Sequence, residues 1–372
     1  MNFRTGNVLT PGGLVAGRLE IGEDGRVAAV RGAPLAESAA RDGSDPLLVP
    51  GFIDLHVHGG SGRDIMEGGD AARAVARCHA AGGTTALLAT TMTAPPEDIR
   101  AAFAALAPVC SERRANEARV IGVHLEGPYI NPGKLGAQPD FACPIDLDEV
   151  RRLHAQAPIR VVTLAPEMDG HLAAIPALRD LGIRVQLGHS LAGYEDGVKA
   201  LAQGAAGFTH LFNAMTGLHH RQPGLSGAAL AHAAYAEIIP DLLHVHPGAI
   251  RVALRAIPGL FCVTDSTAAA GMPDGDYRLG RHTVTKCMGG VRLPDGTLAG
   301  STLTMDQAFR NLVEVLNLDL ADASRRVSTH AADFLGLTDR GRLVPGAWAD
   351  IVVLDRDLKV CEVLVEGRPV RG

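Results

Sequence analysis

The 372-residue sequence has no run of about 18 or more uninterrupted apolar residues, the minimum for a transmembrane helix. A membrane-spanning chain is therefore not expected. It also has no block of Lys and Arg of the kind that follows a phosphate backbone or an anionic bilayer. The net charge of −6 is spread along the chain, so neither nucleic acid nor membrane is expected as a partner. The opening "MNFRTGNVLTPGG" lacks an apolar h-region behind a basic n-region, and no secretory signal is expected from it. None of the six cysteines (Cys78, Cys110, Cys143, Cys262, Cys287, Cys361) stands in a C-x-x-C pair. Such spacing fits reduced thiols in a cytoplasmic protein better than a disulfide framework. Low-complexity segments and sequence repeats are absent as well.

What is present is a large apolar share, 47%, near the globular norm. The length suits one large barrel or two domains. Residues 13–30, "GLVAGRLEIGEDGRVAAV", alternate and turn at "EDG", which predicts a β-hairpin. Residues 346–370 also read as short strands. Between these β-rich ends the pattern becomes strand, turn, helix, repeated. Eight strand-like runs are predicted at 51–57, 84–90, 119–125, 160–165, 183–189, 207–212, 236–244 and 260–265, the seventh interrupted by Pro240. Segments such as "DAARAVARCHAAG" and "DLDEVRRLHAQA" carry apolar residues at helical spacing between them. This alternation predicts an α/β fold, a (β/α)8 TIM-like barrel over residues 50–339. A β-hairpin insertion turning at "PDG" is expected near 276–300. Residues 1–49 and 340–372 are expected to join in a small β-sandwich domain.

Active sites of such barrels lie at the C-terminal ends of the strands, and polar residues gather at those ends here. "GFIDLHVHGG" places His56 and His58 on one face of a strand end, since alternate side chains share a face. The third strand runs into "HLEGP", with His124 and Glu126. The fifth ends at His189, the sixth at His210 followed by Asn213, and the eighth at Asp265. Each has an ordinary explanation by itself: histidines can be satisfied in loops, and Glu126 or Asp265 can cap a turn or helix. Five separate strand ends converging on one rim make a divalent metal site the better reading, and zinc suits a mixture of imidazole and carboxylate. Such an ion lowers the pKa of water towards 7, and a free carboxylate such as Asp265 can shuttle its proton. That chemistry hydrolyses an amide or an imine-like carbon.

Longer motifs carry a resemblance. "VPGFIDLHVHGGSGRD", "HLEGPYINPGKLGA", "LGHS", "THLFNAM", "RQPGLSGAAL", "LLHVHP", "VTDSTAAAG", "LAGSTLTM" and "GRLVPGAWADIVVLD" resemble the amidohydrolase superfamily. Within it they are similar to the N-acetylglucosamine-6-phosphate deacetylase family, over nearly the whole chain. The resemblance implies that Glu126, His189 and His210 hold the main metal and that His56 and His58 permit a second. Zinc is expected; iron, manganese or cobalt fit the same ligands. Asp265 would be general base and then acid. Asn213 and Ala214 would contact an amino-sugar phosphate, and Arg221 and His244 its phosphate, where a guanidinium fork suits the oxygens. Ala137, Gln138 and Ser301 would complete the substrate site. Because the family's phosphate site borrows from a neighbouring subunit, a homodimer is implied.

One position departs from the pattern. Family members carry histidine in the loop after "HLEGP", where this chain has Gln138. Glutamine keeps a hydrogen-bond donor but supplies no cationic imidazolium. The implied reaction is removal of acetate from N-acetylglucosamine 6-phosphate. The galactosamine epimer, ring opening of a cyclic amide, and a non-catalytic binding barrel are the alternatives. A barrel without catalysis would be expected to lack Asp265 or a ligand, and none is missing.

Overall fold

The computed structural model describes residues 2–371. Six strands, Phe52–Val57, Thr84–Thr91, Arg119–Glu126, Ile159–Leu164, Arg184–Leu187 and Gly207–Phe208, form one parallel sheet in chain order. Tyr235–Ile238 and Gly259–Cys262 pair parallel as the seventh and eighth. Backbone hydrogen bonds close the ring. Leu211 N–H donates to the Glu237 carbonyl at 2.9 Å, and Asp265 N–H to the His56 carbonyl at 2.9 Å. Every residue of the first two strands is buried, as expected for strands with helices outside and packed side chains within. The chain is thus a (β/α)8 barrel.

Helices fall where the apolar spacing puts them, for example Ala71–Ala81, Leu147–Gln156 and Tyr194–Gln203. Asp146 starts the second of these, its carboxylate accepting from the Asp148 and Glu149 N–H groups. Several barrel strands are shorter than predicted. The seventh stops at Ile238, because Pro240 has no N–H to donate to a ladder. The sixth pairs only at Gly207–Phe208, because His210 and Phe212 take φ of 26° and 80° and turn the chain off the sheet.

The insertion differs from a single hairpin. It is a three-stranded antiparallel sheet, Gly275–Leu279, His282–Cys287 and Gly290–Arg292. The connections are at Gly280–Arg281 and Met288–Gly289, with "PDG" forming the turn that follows. Glycines at left-handed φ, 53° at Gly280 and 78° at Gly289, supply turns that the reading of one long hairpin overlooked. A small core including Leu279, Val284 and Val291 packs this sheet against Met92 and Ala269 near the barrel mouth.

Both chain ends enter one seven-stranded sheet. It contains the predicted hairpin as Gly13–Ile21 with Val27–Leu35, and the C-terminal strand Ile351–Leu354 pairs with Leu47–Pro50. A separate apolar cluster, with Val8, Leu19, Leu48, Ile351 and Leu364, fills it. Other residues of the sheet, among them Leu9, Leu14, Val49, Val352 and Leu354, join the barrel's own apolar core, and an ionic cluster is set into this junction. Glu366 accepts from Arg113 at 3.1 Å and from Arg119 at 2.9 Å, and Arg340 pairs with both Glu366 and Asp350. Burial pushes the Glu366 carboxyl up, but the Arg119 hydrogen bond and the Arg340 charge outweigh it and bring it to about 2. The stability this group contributes is therefore present above its unfolded value and is lost as pH falls towards 2. Arg340→Met leaves the buried Asp350 carboxylate without its cationic partner and is expected to cost about 3–5 kcal/mol. A denaturant midpoint unchanged from the parent would refute that assignment.

Candidate active site

The strand ends deliver the side chains to one rim. His56 lies on the first strand, His58 one residue beyond it, and Glu126 ends the third. Gly59 then turns the chain against the loop after the eighth strand, where a Cβ would lie 2.4 Å from the Ala268 nitrogen. His189, His210 and Asp265 follow the fifth, sixth and eighth strands with φ of 47°, 26° and 49°. Left-handed backbone at three non-glycine residues is strained. Here it marks the points where the chain leaves the sheet and the side chain swings over the mouth.

Glu126 joins two groups of donors. Its Oε1 is 3.1 Å from His189 Nε2 and 3.1 Å from His210 Nε2, and those nitrogens are 3.1 Å apart. Its Oε2 is 3.1 Å from His58 Nε2 and 3.4 Å from His56 Nε2. Asp265 Oδ1 completes the second group, at 3.3 Å from His58 and 3.5 Å from His56. Donor atoms packed this closely, all buried, could hold one divalent ion or two sharing a carboxylate.

Tautomers support the same reading. His189 Nδ1 faces the Lys134 carbonyl at 2.8 Å. A carbonyl only accepts, so Nδ1 carries the proton and Nε2 presents a lone pair. His56 Nδ1 is held likewise by Glu237 at 3.0 Å. His124 is different. Its Nδ1 bonds the Leu55 carbonyl and its Nε2 the Thr163 hydroxyl, at 3.1 and 2.8 Å. Both nitrogens are occupied below the rim, and burial, then the His56 charge, lower its pKa to about 4.

Burial raises the Asp265 carboxyl, but His56 and His58 outweigh it and hold it at about 2. Burial disfavours the His58 imidazolium, yet hydrogen bonds to Asp265 and Glu126 raise it to about 9. Buried carboxylates that favour positive charge at their centre form a pocket suited to a cation.

Above these groups opens a cavity of about 240 Å³. Of the residues predicted to meet substrate, Ala137, Gln138, Asn213, Ala214 and His244 line it. His244 Nδ1 is 2.6 Å from Asp241 Oδ2. Burial opposes its charge, but that bond raises its pKa and favours an imidazolium on the cavity wall. Two residues lie elsewhere. Ser301 is buried with its hydroxyl donated to the Thr264 carbonyl at 2.5 Å, so it props the eighth strand rather than facing the cavity. Arg221 is exposed, beside His220 at 3.1 Å, and does not line the cavity of its own chain.

Sequence reasoning overlooked the groups that hold these residues. Glu237 bonds both His56 and the His210 N–H, the latter at 3.1 Å. Asp54 accepts from Thr264 Oγ1 at 2.6 Å, tying the first strand to the eighth. A lone acid inside each of the apolar runs "AEII" and "GFIDL" was the available signal.

Residues 47–370 match the Amidohydrolase family, and the chain belongs to that family. Among curated relatives, the N-acetylgalactosamine-6-phosphate deacetylase of Escherichia coli O157:H7 is 41% identical over 93% of this chain and 92% of its own. The N-acetylglucosamine-6-phosphate deacetylase of Lysinibacillus sphaericus is 37% identical over 93% and 91%. A mutant N-acetyl-D-glucosamine-6-phosphate deacetylase from Mycobacterium smegmatis, solved in complex with N-acetyl-D-glucosamine-6-phosphate, superposes with a TM-score of 0.90. It is 36% identical, over 99% of this chain and 98% of that one.

Proposed function

We propose that this chain hydrolyses the N-acetyl amide of N-acetylglucosamine 6-phosphate, releasing acetate and glucosamine 6-phosphate. The supporting observation is the shared Glu126 carboxylate, with Asp265 beside it, beneath a cavity walled by His244. A divalent ion held by Glu126, His189 and His210, with a second position at His56, His58 and Asp265, would supply an acidified water and polarise the amide carbonyl. Asp265, ionised throughout the neutral range, takes a proton from the attacking water and returns it to the departing nitrogen. The water oxygen first adds to the amide carbon, the C=O electron pair moving onto the carbonyl oxygen. The C=O then re-forms as the C–N bond breaks, and the amine leaves neutral with the proton from Asp265. The acetic acid gives its remaining proton to solvent to leave as acetate. Asn213 and Ala214 flank the sugar, and His244 offers a cationic N–H to the phosphate.

Zinc is the proposed ion, from the borderline-soft imidazole and carboxylate set. We propose a homodimer in which a second copy brings Arg221 to the phosphate, since Arg221 lies outside its own cavity and its neighbour Leu218 is 59% exposed. A cytoplasmic location is proposed from the six free thiols. No helix among the described residues is long and apolar enough to cross a membrane.

The N-acetylgalactosamine-6-phosphate deacetylase relative favours a second reading, the same hydrolysis on the galactosamine epimer. Acetate release from both epimers, each with and without the 6-phosphate, tests both. Turnover that requires the phosphate and prefers the glucosamine epimer is the expected result. Preference for the galactosamine epimer selects the second reading, and no turnover on either phosphate overturns both.

A further inference from the structure

Gln138 was expected to touch substrate, but its amide faces elsewhere. Its Oε1 accepts the Thr93 backbone N–H at 2.7 Å, and its Nε2 donates to Glu126 Oε2 at 2.6 Å. The amide has one possible orientation. A backbone N–H only donates, so the carbonyl oxygen must face Thr93 and the NH2 must face the carboxylate. The residue is 6% exposed. Thr93 is fully buried and packs against Gly127, at φ 73°, where a Cβ would lie 2.0 Å from Thr93 Oγ1. The loop after the second strand is thereby fixed against the end of the third, and Gln138 is the clamp between them.

This clamp grips one oxygen of Glu126. Oε1 faces His189 and His210, while Oε2 faces His56 and His58 (distances above). Rotation about the carboxylate's terminal bond is soft. Without a second anchor, both oxygens could turn towards the His189–His210 half. A donor at 2.6 Å on Oε2 holds that oxygen out towards His56 and His58 and uses one of its two lone pairs. The other remains directed into the second group.

We propose that Gln138 is a positioning residue that holds Glu126 in its bridging orientation and so sets the affinity of the His56–His58–Asp265 half for a divalent cation. The proposal rests on the reading of the site as a metal centre, but not on the substrate. Its test is a binding measurement that would stand even if neither sugar phosphate were turned over.

Zn2+ is titrated by calorimetry into metal-stripped parent, Gln138→Met and Gln138→His. Methionine keeps the length of the side chain and loses the donor; histidine restores an N–H for Glu126. The parent is expected to take two ions. Gln138→Met is expected to keep the tighter constant and lose about 10- to 100-fold in the weaker one, as is usual when a partner of a metal ligand is removed. Gln138→His is expected to recover most of that loss. On substrate, Gln138→Met is expected to lower kcat more than it raises KM. A parent that takes one ion, or a Gln138→Met constant equal to the parent's, overturns the proposal. So does a rise in KM with both metal constants unchanged, which would return Gln138 to the substrate. If Gln138→Met does not fold, as judged by circular dichroism, Gln138→Asn decides instead. It keeps an amide one methylene too short to span both contacts, and the same loss or its absence reads the same way.

Discussion

Asp265→Asn is expected to leave a folded, metal-binding protein whose acetate release falls by about 10²- to 10⁴-fold, the range for a lost general acid–base group. The substitution conserves volume at a buried position and keeps an oxygen near His56 and His58. It removes the only carboxylate in the cavity besides Glu126, and Glu126 is occupied on both oxygens. No neighbouring group can take over the proton. His244 is tied to Asp241, and although burial opposes its charge, the hydrogen bond to that carboxylate favours its protonated form, so it is a poor base. The loss should appear in kcat, with an ion still bound at Glu126, His189 and His210 by metal analysis. Turnover equal to the parent would remove Asp265 from the mechanism.

Much of this arrangement was legible in the sequence because a barrel converts order along the chain into position around a ring. Once His56, Glu126, His189, His210 and Asp265 were placed at strand ends, closure of the ring was enough to bring them together. The sequence did not show how long each strand stays in the ladder. His210 and Asp265 leave it by left-handed turns; histidine and aspartate are enriched in that region, but most of them lie elsewhere, so residue type alone did not place the exits. The orientation of Gln138 was also hidden, because its partner Thr93 comes from a different loop and contributes a backbone N–H, which carries no sequence signal. Ser301 misled for a related reason. Its motif lies beside the site along the chain, but its hydroxyl is directed to the Thr264 carbonyl.

Glu126→Gln should have the broadest effect. Glu126 is the one residue whose atoms lie against both groups of donors, so neutralising it weakens both at once, whereas His189→Ala would disturb only one. The Glu126 charge is opposed by burial but is held ionised by His56, His189 and His210, well below the usual carboxylate range. An amide at the same place offers one neutral oxygen in place of two charged ones, and its NH2 points a donor at nitrogens that need an acceptor or a cation. Metal content is expected to fall below one ion per chain. Acetate release should drop by about 10³-fold or more, the equivalent of roughly 4 kcal/mol of transition-state stabilisation. Together the two variants separate the roles: Asp265→Asn loses turnover with an ion retained, and Glu126→Gln loses turnover because the ion is gone. A Glu126→Gln protein that kept a full complement of tightly held metal would mean that the histidines suffice alone, and the bridging carboxylate would have no part in binding.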